Sequence, residues 1–278
     1  MRASGRLHGE VELRYAHSSV VLIGSSLTIK AVPGAASALR REYDNYRKAV
    51  EKWPVLGEVL LPVKFGRDGV AAYLTSATCS SVNGPDAVLQ RASSLFKIMR
   101  TCGQRMERGF ALTQLPQIRC GIEELSRLYG KRVGALLDAR LTQFAGKVEL
   151  DVGFAHGDFH SRNMMIAPDG QPKLIDLDCI RREGIQQFDA LNFVLEAQWS
   201  RSGETWARQI GAYLRNDLPA STQAELLHFE VLSSPDMALA YLADRVGQER
   251  MNHRFRYLYG DLVDAVSLLE AVPDDRAH

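Results

Sequence analysis

The stretch from Phe154 to Ile180, FAHGDFHSRNMMIAPDGQPKLIDLDCI, concentrates the side chains most capable of chemistry. His156, Gly157 and Asp158 stand in a row, Asn163 follows Asp158 by five residues, and Asp176 and Asp178 close the stretch. Two short strand-forming runs, Met164 to Ile166 and Lys173 to Ile175, flank the turn residues Pro168-Asp169-Gly170. Pro-Asp-Gly pre-sets a tight reversal, and runs this short are strands, not helices. The spacing therefore predicts a hairpin with Asn163 before its first strand and Asp176 after its second, both at one end. An amide oxygen and a carboxylate converging there suit a hard cation such as Mg²⁺, which takes one or two protein carboxylates and leaves its other positions to phosphate and water. Asp158 is left to face an acceptor hydroxyl. Turn chemistry alone accounts for Pro168 to Gly170 but not for the His-Gly-Asp triplet or Asn163, whereas Asp178 reads equally well as a solvated turn residue or as support for the site.

The elements that must position these residues are legible on both sides. Glu10 to Tyr15 alternates polar and apolar residues, Val20 to Ile23 is a β-branched run, and Leu27 to Val32 forms a third strand after the turn Gly24-Ser25-Ser26. Short turns between three strands imply an antiparallel sheet. Lys30 shares a face with Thr28 and Val32, opposite Leu27, Ile29 and Ala31. Pro33-Gly34 breaks the third strand, and a helix is predicted over Ser37 to Trp53, with Leu39, Tyr43, Tyr46 and Val50 as its apolar stripe and Glu42 inside it. A carboxylate on an inward face needs a partner. Lys30 across the sheet would supply one; surface pairing with Arg47 or Lys48 is the alternative.

Val59 to Val63 and Val70 to Leu74 read as strands four and five around a turn at Gly66-Arg67-Asp68-Gly69, and the polar stretch Thr75 to Pro85 reads as a linker. From Asp86 to Lys147 the pattern is helical, interrupted near Gly103, Gly109 and Pro116. Past the central stretch, Arg181 to Gly184 reads as a charged loop, a helix opens at Gln187 with Asp189 near its cap, and further helices are predicted around 205–214, 222–232, 238–245 and 260–270.

Composition narrows the class. The 278 residues carry 46% hydrophobic and 24% charged side chains with a formal net charge of +1, as an ordinary globular protein does. No run approaches the roughly 18 to 20 apolar residues of a membrane span, and the N-terminus lacks the apolar core of a secretory signal, so the cytoplasm is expected. Cys79, Cys102, Cys120 and Cys179 form no C-x-x-C pair, which argues against a zinc site or disulfide framework. Residues 1–182 hold 26 basic and 18 acidic side chains, and residues 183–278 hold 8 and 15. The acidic C-terminal part could face a cationic acceptor or merely solvent. The basic run Lys97, Arg100, Arg105, Arg108 has no interleaved aromatics to stack on bases and reads as a solvated face, not as a nucleic-acid site.

The order His156-Gly157-Asp158-Phe159-His160-Ser161-Arg162-Asn163, followed by Leu174-Ile175-Asp176, resembles the catalytic and metal-binding loops of the aminoglycoside phosphotransferase and choline kinase group, small-molecule relatives of the protein kinases. The resemblance implies an α+β, two-lobed protein-kinase-like fold: an N-terminal antiparallel sheet plus one helix (1–76), a linker (77–85), and a larger, mostly helical lobe (86–278). It implies Asp158 as catalytic base, Asn163 and Asp176 as Mg²⁺ ligands, Lys30 on the α- and β-phosphates of ATP with Glu42 bracing it, and backbone groups of Thr75 to Ala77 against the adenine edge. GTP is a possible alternative donor, and the acceptor would be a hydroxyl of a small molecule. Asp189 would support the catalytic loop. The group's glycine-rich phosphate loop has no counterpart in Ala16-His17-Ser18-Ser19. A kinase acting on a protein or a cell-surface glycan, or a non-catalytic nucleotide-binding scaffold, stays open beside the small-molecule kinase.

Overall fold

The computed structural model describes residues 12–16, 19–31, 36–68, 71–231 and 234–252. Its first sheet holds β1 (Glu12–Ala16), β2 (Ser19–Ile23), β3 (Leu27–Ala31), β4 (Lys64–Asp68) and β5 (Ala71–Ala77) in the order β1-β2-β3-β5-β4. All four neighbouring pairs are antiparallel. Helix α1 (Ala36–Lys52) follows β3 and lays Leu39 on Ala72 and Leu74 of β5, with Tyr43 and Phe65 packed against them. Burial at alternate β5 positions is the period of a strand with one face covered.

Two expectations for this region are corrected. The residues buried on α1 are Leu39, Glu42 and Ala49, while Tyr43, Tyr46 and Val50 are only half-buried. The large rings sit at the margin, Tyr43 with its centroid 6.2 Å from that of Phe65, and smaller side chains turn inward. Val59 to Val63 is not a strand. A 3-10 turn, Pro54–Glu58, runs into it, Pro62 lacks a ladder donor, and the segment instead forms a parallel bridge in which the Leu61 amide donates to Leu174 (2.9 Å) and the Leu174 amide to Val59 (2.7 Å). Strand four is therefore β4, which includes Gly66 to Asp68 of the expected turn, and Thr75 to Ala77 complete β5 instead of opening a linker.

The remaining elements are β6 (Ser80–Ser81), α2 (Pro85–Arg100), β7 (Gly103–Met106), α3 (Pro116–Tyr129), α4 (Lys131–Ala145), β8 (Leu150–Ala155), β9 (Met164–Ile166), β10 (Pro172–Leu174), β11 (Arg181–Ile185), α5 (Gln187–Ser202), α6 (Trp206–Leu214), α7 (Ala220–His228) and α8 (Pro235–Asn252). The expected hairpin is β9-β10, and β6 extends it to a sheet ordered β10-β9-β6; the third sheet is β11-β8-β7. Arg181 to Gly184 is thus strand, not loop. The expected helix at 260–270 lies outside the described residues.

The chain forms two compact units. One comprises the described residues up to Gln104 together with Gly153–Gln186; the other comprises Arg105–Val152 and those from Gln187 onward. In the second unit α3 and α8 cross so closely that a β-carbon on Gly121 would overlap the Ala243 carbonyl, and one on Gly247 the Gln117 carbonyl. Ile118, Leu125, Leu137, Leu141 and Leu239 are buried in this unit, and the Tyr241 hydroxyl donates to Asn192 Oδ1 at 2.9 Å.

Candidate active site

Asp158, Asn163, Asp176, Lys30 and Glu42 all belong to the first unit. After β8 the chain enters His156, fully buried, whose Nε2 donates to the Ile175 carbonyl at 2.9 Å and so ties the catalytic loop to the end of β10. Gly157 has φ 78°, and a β-carbon there would run into the Cys179 carbonyl. Only glycine fits that approach, which is a physical reason for its place between His156 and Asp158. Asp158 is partly open, its side chain 22% exposed. The Asn163 amide donates to the Asp158 carbonyl (2.9 Å) and to its Oδ2 (3.3 Å), and His160 Nε2 lies 3.5 Å from the same oxygen. The Arg162 amide donates to His160 Nδ1 at 3.2 Å, which leaves the ring proton on Nε2, facing the carboxylate.

The hairpin does what its spacing required. The Ile175 amide donates to the Asn163 carbonyl at 3.0 Å, bringing Asp176 beside Asn163. Asp176 adopts φ 61°, ψ 65°, the left-handed region, and then caps the 3-10 turn Leu177–Cys179. For a residue with a β-carbon that conformation costs on the order of 1 kcal/mol, so surrounding contacts must hold it. Two are visible. Lys30 Nζ donates to Asp176 Oδ1 at 2.9 Å, and Asn45 Nδ2 of α1 donates to the Leu177 carbonyl at 3.0 Å.

Lys30 is the hub of the charge arrangement. Its Nζ also donates to Glu42 Oε2 at 2.9 Å, so one ammonium bridges two carboxylates from a helix and a loop. Burial works against the charge on Lys30, but Glu42 and Asp176 more than offset it and hold the amine well above its ordinary pKa. Burial pushes Glu42 above the ordinary carboxylate range, with Lys30 opposing and Asp176 and Asp178 adding to the rise. Of the surface alternatives for Glu42, Arg47 pairs with Glu51 instead, and Glu42 itself bonds Lys30.

Thr75 and Ala77 stand in β5 opposite Ile29 and Leu27. The pairing of β4 stops at Lys64 opposite Thr75, so beyond it the other edge of β5 has no strand partner among the described residues. His17 and Ser18, at the glycine-free turn, lie outside the described residues. So far as the structure tests a cation, the donor set fits Mg²⁺. Asn163 uses its NH₂ group on Asp158, which leaves Oδ1 as an acceptor, and Lys30 engages only Oδ1 of Asp176. No cluster of three or more His, Cys, Asp or Glu ligands exists among the described residues.

Asn45, His160 and Lys173 are missed by the sequence reading. Asn45 follows Glu42 by three residues and so shares its helix face, a signal that was available. Lys173, buried on β10, donates to the carbonyls of Gly57 (3.2 Å) and Glu58 (2.7 Å), contacts that no local pattern announces.

Residues 97–227, a little under half of the chain, match the phosphotransferase enzyme family known as APH. The chain is a phosphotransferase of kinase-like fold. Choline kinase LicA from Streptococcus pneumoniae superposes with a TM-score of 0.55 at 15% identity, covering 95% of this chain and 94% of that one. A thermostable mutant of aminoglycoside phosphotransferase APH(4)-Ia, in ternary complex with AMP-PNP and hygromycin B, gives 0.52 at 15% identity over 94% and 92%. Aminoglycoside phosphotransferase APH(3'')-Id from Streptomyces rimosus gives 0.51 at 16% identity over 86% and 92%. At such identities these likenesses establish the fold, a mixed α and β kinase-like architecture, and the resemblance read from the central stretch stands. The search of curated proteins finds no match. No helix among the described residues is long and apolar enough to cross a membrane.

Proposed function

We propose that this phosphotransferase moves the γ-phosphate of a nucleoside triphosphate, ATP or alternatively GTP, to a hydroxyl of a small molecule of aminoglycoside, sugar or amino-alcohol type. The observation that carries the reading is the Lys30 ammonium held 2.9 Å from both Glu42 and Asp176, with Asn163 and Asp158 bonded to each other in the same unit. Asp158 accepts the hydroxyl proton, the oxygen forms the new bond to the γ-phosphorus, and the bond to the β–γ bridging oxygen breaks to release the diphosphate. Asn163 and its neighbour His160 hold Asp158 Oδ2, which directs the other carboxylate oxygen to the acceptor. Asn163 and Asp176 would hold Mg²⁺, which supplies neutralisation of phosphate charge. Lys30, braced by Glu42, adds a cation toward the α- and β-phosphates, and backbone groups of Thr75 to Ala77 meet the base. This chemistry is mainly positioning and electrostatic stabilisation.

The lobe division at residues 77–85, with nucleotide contacts before it and acceptor contacts after, and a cytoplasmic location are parts of the same reading. The test is a Mg²⁺-dependent transfer screen with ATP and GTP against aminoglycosides, sugars, amino alcohols and nucleosides, beside Asp158→Ala. Transfer to one chemical class, absent in the variant, is the expected result. Phosphate appearing only on a protein or glycan, or nucleotide binding without any transfer, would replace this reading with a polymer kinase or a scaffold.

A further inference from the structure

We propose that Asn45 is a positioning residue for Asp176, so that the helix carrying Glu42 also sets the metal-binding carboxylate. Asp176 is one of three described non-glycine residues with positive φ, together with Asn216 and Glu230, and it alone of these bonds to Lys30. Asn45 Nδ2 engages the carbonyl of the residue that follows it, at 3.0 Å from Leu177 O, with the Asp178 carbonyl at 3.5 Å as a second acceptor. Holding these carbonyls anchors the 3-10 turn that begins directly after Asp176, and so limits how far the left-handed residue at its start can relax. Glu42 and Asn45, three residues apart on α1, therefore act on Asp176 by two routes: one through Lys30 on the carboxylate, the other on the backbone of the turn that follows it. Lys173 and the bridge at Leu174 fasten the strand leading into Asp176 to the segment that follows α1. Helix, ammonium and metal loop are thus one assembly; α1 cannot move away alone without releasing the peptide at Leu177.

This inference rests on the reading of Asp176 as the Mg²⁺ ligand, and the experiment separates the two. Binding of a fluorescent ATP analogue is titrated with Mg²⁺ in full-length wild type, Asn45→Leu, Asn45→Gln and Asp176→Asn, with thermal melting of each and Lys48→Ala as an exposed α1 control. Loss of one such hydrogen bond corresponds to a rise of roughly two- to tenfold in the Mg²⁺ concentration for half-maximal binding in Asn45→Leu. Binding without metal should stay at the wild-type level, and turnover should recover at excess Mg²⁺. Asn45→Gln, which keeps an amide donor, should lie closer to wild type, and Lys48→Ala should match it. Wild-type Mg²⁺ dependence in a folded Asn45→Leu, beside a lost dependence in Asp176→Asn, overturns the inference while sparing the metal reading. Unchanged Mg²⁺ dependence in Asp176→Asn overturns both. If Asn45→Leu does not fold, Asn45→Ala, which removes the donor without adding bulk, decides by the same shift, and equal loss of metal-dependent and metal-free binding in it also counts against the proposal.

Discussion

The loop around Asp176 and the crossing of α3 with α8 are both tight places, and they are tight for opposite reasons. At Asp176 a side-chain-bearing residue is held in a left-handed conformation by polar contacts from two other elements, and its carboxylate remains 39% exposed. At the crossing, Gly121 and Gly247 omit a side chain so that two helix backbones can approach, and the same two helices bury Ile118, Leu125, Leu239 and Leu242. The first arrangement spends stability to place charge where a ligand can reach it. The second gains stability by close packing. Substitutions at the two places should therefore separate activity from folding.

The largest separation is expected at Asp158. Asp158→Ala removes a partly exposed carboxylate, the proton acceptor in the proposed transfer, so turnover should fall by roughly 10²- to 10⁴-fold. Nucleotide affinity and melting temperature should stay near wild type. Parallel loss of circular dichroism signal would mean that Asp158 is structural, and the contrast between the two regions would dissolve. Next comes Gly247→Ala, whose methyl group must displace the Gln117 carbonyl and push α3 from α8. Overpacking of this kind costs about 1–3 kcal/mol, or roughly 2–4 °C of melting temperature per kcal/mol for a chain of this size. Mg²⁺ half-saturation of the folded enzyme should not move. A Gly247→Ala protein that melts like wild type but binds Mg²⁺ poorly would reverse the assignment of the two places.

The same contrast explains what was legible in the residues alone. Asp158, Asn163 and Asp176 are polar side chains at fixed spacing around a Pro-Asp-Gly turn, a local pattern, and the hairpin, the Lys30 strand and the Glu42 helix followed from period and composition. What escaped was decided by distant partners. Val59 to Val63 has the composition of a strand but is claimed by Leu174, more than a hundred residues later. Arg181 to Gly184 looks like a charged loop because three of its four residues are charged, and the pairing of β11 in the β11-β8-β7 sheet is non-local. The role of Gly121 and Gly247 depends on two helices more than a hundred residues apart and has no local signal. Asn45 shares the helix face of Glu42, but its partner, the Leu177 carbonyl, lies 132 residues away and has no local signature.

The smallest expected effect sharpens the comparison by pH. Glu42 is a buried carboxyl whose pKa lies above the ordinary range, raised first by burial and further by Asp176 and Asp178, with Lys30 opposing. Lys30 is held above its own ordinary value, so it stays protonated in folded and unfolded chains through the acid and neutral range and contributes no slope there. For Glu42 the folded chain binds the proton more readily than the unfolded chain. Acidification through the window between its raised folded value and the ordinary carboxylate value therefore adds stability, and raising the pH through the folded value removes it again. The same protonation weakens the brace on Lys30, so nucleotide affinity should fall as the pH drops through that window. Melting curves and nucleotide titrations without Mg²⁺, on wild type and Glu42→Gln, test both signs: the variant should lack this contribution to the stability slope and bind nucleotide with a flatter pH profile. Identical profiles for the two proteins would mean that Glu42 is already neutralised by Lys30 at every pH in the window, and that charge placement in this unit rests on the ammonium alone.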